Sequence, residues 1–129
     1  MRRSPLPLAL SGLLAAAPAF AEGARLTLDC TVTRFCTAPT VCEPVDAPVT
    51  LVFAPEATDA TGAGDYVLSM NGLAHAAQGQ SAIGPFVWED GTETLTLTLL
   101  SETEATVAAV RRDDPAATSL TELDCAVTQ

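Results

Sequence analysis

Apolar and polar residues alternate along most of this chain, and a period of two commits it to strands. Leu95, Leu97 and Leu99 interleave with Thr94, Thr96 and Thr98. Successive side chains of a strand point to opposite faces, so this pattern gives one buried and one wet face. Leu26, Leu28, Cys30 and Val32 make a similar set. So do Val45, Ala47, Val49, Leu51 and Phe53, although Pro44 and Pro48 predict that this strand is an edge or starts late. Residues 65–70 and 73–77 flank Asn71-Gly72, a dipeptide that suits a hairpin because both residues accept positive φ. Small and turn-forming residues over 54–65 predict a loop. Residues 105–112 read as a strand, though their alanines and arginines also suit a helix.

Seven or eight short strands with local connections predict an all-β fold, a small antiparallel meander. Pairing of the first strand with the last would close it into a barrel or barrel-like sandwich.

Four cysteines, at 30, 36, 42 and 125, bear on that closure. The close pairs of a zinc site or a C-x-x-C redox site are missing, so disulfides are expected. Four cysteines allow three pairings. Cys36 and Cys42 are symmetric about Pro39, and a turn there brings them face to face. Cys30 and Cys125 sit on the inward faces of strands near the two ends of the chain. These positions favour Cys36–Cys42 and Cys30–Cys125.

The first residues explain the oxidising setting. Met1-Arg2-Arg3 is a basic head, residues 6–17 are an apolar run, and Ala19-Phe20-Ala21 is a small-x-small cleavage pattern. Residues 1–21 read as a signal peptide. The run is too short for a spanning helix, which needs about 20 residues. Residues 22–129 then form a single β-domain of 129 − 21 = 108 residues. Plentiful Ala and Arg without Lys suggest a bacterial protein, periplasmic or secreted.

Removing the signal leaves four arginines against 16 acids, a net charge of 4 − 16 = −12. Such a surface repels phosphate backbones and anionic lipid heads, which disfavours nucleic acid and membranes. It favours a basic protein partner, though charge of this kind also serves solubility. Nothing in the pattern specifies an oligomeric state.

No catalytic constellation stands out, and no cofactor or metal motif. His75 is the only histidine, and no G-x-S-x-G elbow accompanies it. Asp59 to Asp65 is rich in possible oxygen ligands but lacks EF-hand spacing, so a solvated turn is expected. Arg111-Arg112-Asp113-Asp114 suits a surface ion pair. Phe86 and Trp88 share one strand face. They serve either core packing or a binding face, with Tyr66 and His75 as neighbours. The expected function is a non-catalytic binding module for a protein partner. The alternative is a small carrier barrel for an apolar ligand.

Cys30, Trp88 followed by a short acidic turn, and Cys125 resemble the layout of small exported bacterial β-barrel proteins. The inhibitors of c-type lysozyme are the nearest named analogy. That resemblance implies an eight-stranded barrel with a bridge joining the chain's ends. The inhibitors' loop motif, with a serine and a lysine, has no counterpart here, since the chain has no lysine.

Overall fold

The computed structural model describes residues 25–128. The signal peptide expected at 1–21 lies outside them. Eight strands follow in order: β1 (Leu26–Ala38), β2 (Val41–Thr58), β3 (Gly64–Met70), β4 (Leu73–Gly79), β5 (Phe86–Asp90), β6 (Glu93–Leu99), β7 (Glu104–Arg111) and β8 (Thr118–Thr128). Each pairs antiparallel with the next, and β1 pairs with β8, so the meander closes into a barrel. Residues 104–111 are strand, as the alternation predicts.

Both disulfides join directly opposed residues. Cys30 faces Cys125 across the β1–β8 seam, and Cys36 faces Cys42 across the β1–β2 hairpin. The turn between the latter pair is Pro39-Thr40. By loop-closure entropy the 95-residue separation is worth about 4–5 kcal/mol and the six-residue one about 2 kcal/mol.

Two strands run longer than the sequence suggests. β1 does not stop at Val32 but continues to Ala38, with a register shift between Val32 and Arg34. β2 does not start late: it begins at Val41 and runs through the expected loop as far as Thr58. Ala54, Pro55, Ala57 and Thr58 pair with Val67, Tyr66, Asp65 and Gly64, and a register shift beside Glu56 absorbs the extra residue. Only residues 59–63 remain a loop. Its centre is Asp59, whose Oδ1 accepts from the Thr61 amide at 2.8 Å, the Thr61 hydroxyl at 2.6 Å and the Ala63 amide at 3.1 Å. These bonds hold the carboxyl of Asp59 below its ordinary range.

The two ends of the barrel differ. At one, the hairpin end, lie the turns 39–40, 71–72 and 91–92 and the segment 112–117. At the other, the loop end, lie residues 59–63, 80–85 and 100–103, with the starts and finishes of the described chain. The core fills the loop-end half. Leu26, Leu28, Leu51, Phe53, Leu68 and Leu97 are almost wholly buried there. Its centre is a plug of rings. Phe53 and Phe86 stack with centroids 3.9 Å apart, while Tyr66 and Trp88 meet these two rings edge-on. Gly79 makes room for this plug. A Cβ there would lie 2.7 Å from a Tyr66 ring carbon and 2.9 Å from one of Phe86.

Candidate binding face

The four residues expected at a binding face occupy two environments. Phe86, Tyr66 and Trp88 are 0%, 2% and 2% exposed, so the packing alternative describes their rings. The Tyr66 hydroxyl donates to the carbonyl of Gly62 at 2.5 Å. Burial, and then the nearby charge of Asp59, push its phenol pKa above the ordinary 10.0. His75 is only partly buried. It shares the inward face of β4 with Leu73 and Ala77 and faces Leu68 on β3. Trp88 Nε1 and His75 Nε2 are buried with no hydrogen-bond partner among the described residues. Both belong to the strands that flank the thinnest seam of the barrel.

That seam joins β4 to β5 by three residue pairs only: Ala77 with Trp88, Gln78 with Val87, and Gly79 with Phe86. Towards the hairpin end the two strands part. Among the described residues, 73–76 of β4, and Glu89 and Asp90 of β5, have no strand partner on their facing sides. An outer groove of about 400 Å³ runs over this place, bordered by Gln78, Val87, Glu89 and Thr94. On the far side of the β3–β4 hairpin, β2 is free as well, because β3 pairs with it only from Leu51 onward. Leu73, at the hairpin tip between these openings, is 67% exposed.

Inward-facing residues of the hairpin half form an open cup. Val32, Val49, Met70, Leu95 and Val107 are partly buried and pack on the core beneath. A depression of about 250 Å³ at the rim is lined by Phe35, Glu93, Ala109, Arg111 and Ser119. Asp90 and Glu93 are direct cross-strand partners. Like charges in that relationship repel, so the pair favours a cation; Arg111, which faces Glu93 across β6 and β7, turns its guanidinium to Asp113 instead.

The cations at this end are already engaged. Arg34 pairs with Glu122 at 2.7 Å, and Arg111 with Asp113 at 2.7 Å. Arg112 donates to the carbonyls of Glu93 and Gly91. Among the described residues Glu43, Asp46, Glu89, Asp90, Glu93 and Asp114 have no ion-pair partner. Apolar walls inside an acidic rim can take an apolar side chain that is flanked by positive charge.

The acids at the rim could not be identified from composition, since 16 acids offer many pairs. Their only signal is parity: Asp90 and Glu93 continue the inward series of Phe86, Trp88 and of Leu97, Leu95. Reading 89–93 simply as a turn hides it.

The loop end has a second concavity, an open groove of about 700 Å³ between Ile83, Leu99, Leu100 and Val127. The chain enters β1 at that end from residues outside the described range. No protein family matches this chain, and no curated protein or solved structure does either.

Proposed function

We propose that this is an exported, non-catalytic binding module that takes a basic protein at its hairpin end. The observation that carries the reading is the rim: Asp90 and Glu93 lie side by side above an apolar cup, and neither carboxylate has an ion-pair partner among the described residues, since Arg111 pairs with Asp113 and Arg112 is held on the turn carbonyls of Gly91 and Glu93. Complementary charge would steer the partner in, and burial of Leu73, Phe35 and the cup wall would hold it. Two disulfides are consistent with an oxidising compartment, and the bacterial periplasm is the proposed location. Lysozyme-like enzymes are one candidate partner class, on the resemblance of layout. The ring plug occupies the centre of the barrel, which favours a partner at the surface over an enclosed apolar ligand.

The test is capture from periplasmic extract of the source bacterium, with bound protein identified by mass. A basic protein should be retained at low salt and released as salt rises. Salt-independent capture, or retention of acidic proteins only, would contradict the proposal.

A further inference from the structure

Among the described residues, the stretch Val41–Thr50 of β2 pairs with β1 on one side and with no strand on the other, an exposed edge of ten residues. Strands in globular proteins average about five to six residues, so this is a long template for another strand. Its outward hydrogen-bond donors are nevertheless depleted, although its carbonyls can still accept, and the pattern is specific.

Thr50 sets the parity. Its N–H donates to Asn71 Oδ1 at 3.1 Å and its carbonyl accepts from the Asn71 amide at 3.2 Å, so both groups point away from β1. Backbone groups alternate sides along a strand, so residue 48 points the same way, and residues 46 and 44 keep that parity across the one-residue register shift between Ala47 and Pro44. Burial alternates in step, with Val45, Ala47 and Val49 more buried than their neighbours, so the parity holds. Positions 48 and 44 are proline and have no N–H. Of the five outward positions from 42 to 50, two lack a donor and one is engaged by Asn71. Cys42, at the end of the edge, and Asp46, in its middle, keep an N–H, and Asp46 brings a negative charge.

We propose that Pro44 and Pro48 are edge guards that keep β2 from pairing with the β2 edge of a second copy of this chain. Two such edges meeting antiparallel would each need donors at alternate residues, and each would bring an Asp46 and a Glu43 towards its twin. The proposal stands apart from the partner reading, since it concerns the edge and not the cup.

The double variant Pro44→Val, Pro48→Thr restores both donors. In sedimentation velocity the parent chain should remain a monomer up to millimolar concentration, whereas the double variant should shift to a dimer. The Asp46 amide should become protected from hydrogen exchange in that dimer. Adding Asp46→Pro to the double variant should return it to the monomer. Should the double variant fail to fold, Pro48→Thr alone carries the same test with a smaller shift. A folded variant, with both disulfides intact, that stays monomeric at the same concentrations would overturn the proposal. So would a parent chain that dimerises with its Asp46 amide protected, or a triple variant that stays dimeric.

Discussion

Asn71 completes the ladder of Thr50 where the next strand runs out. Its amide and its side-chain oxygen together take both backbone groups of that residue, at 3.2 and 3.1 Å. Asn71 does this from a positive φ of 48° in the β3–β4 turn, a conformation that Asn accepts more readily than most residues. The contact ties the hairpin tip to β2 and marks the start of the free edge.

Asn71→Ala should therefore lose both the acceptor and an easy fit to the turn. The expected cost is about 1–3 kcal/mol, the range for a lost hydrogen bond together with strained backbone. Asn71→Gly keeps the turn and loses only the side-chain bond, so it should cost less. Urea midpoints of the parent and both variants give the comparison: equal midpoints for Ala and Gly would argue against backbone strain, and a Gly variant equal to the parent would argue against the side-chain bond.

Removing the seam disulfide should matter more than removing the hairpin disulfide. Replacing Cys30 and Cys125 by Ala is expected to cost about 4–5 kcal/mol, against about 2 kcal/mol for Cys36 and Cys42. Guanidinium unfolding of the two double variants measures the difference.

Gly79→Ala should destabilise the fold although it adds one methyl group. The new Cβ meets the rings of Tyr66 and Phe86, which are already packed against Phe53 and against each other. Overpacking of this kind costs about 1–3 kcal/mol. A thermal midpoint equal to the parent's would show that the rings move aside freely.

Tyr66 is the only tyrosine, so its ionisation can be followed by ultraviolet absorbance. Burial, with Asp59 adding to it, raises its pKa above 10.0 in the folded state. Folding thus favours the neutral phenol. Its contribution is complete below pH 10 and is lost as pH climbs through the folded value. The folded protein should titrate above the urea-unfolded chain, and Asp59→Asn should bring the midpoint part of the way down. Coincident curves would contradict the burial of the phenol.

Much of this architecture was legible in the residues. Alternation at Leu95, Leu97 and Leu99 marked β6, Asn71-Gly72 marked a hairpin, and the inward parity of Cys30 and Cys125 pointed to their bridge. Residues 54–58 were not legible, because Ala, Pro, Glu and Thr read as loop until β3 supplies the partner ladder. Pro44 and Pro48 correctly announced an edge but not a late start: a strand tolerates proline where its nitrogen faces no neighbour. The gap between β4 and β5 has no local signal at all. It follows from where a closed barrel leaves β5 short, and the exposure of the cup, with Asp90 and Glu93 at its rim, follows from that.

Paired neutralising variants locate the partner site on the barrel. Asp90→Asn with Glu93→Gln removes charge at the hairpin end, and Glu102→Gln with Glu104→Gln removes the same amount at the loop end. Each is compared with the parent for capture of the basic periplasmic protein at one fixed low salt concentration. Loss of capture in the first variant and retention in the second is the predicted result. Retention in the first with loss in the second would place the partner at the opposite end and contradict the account.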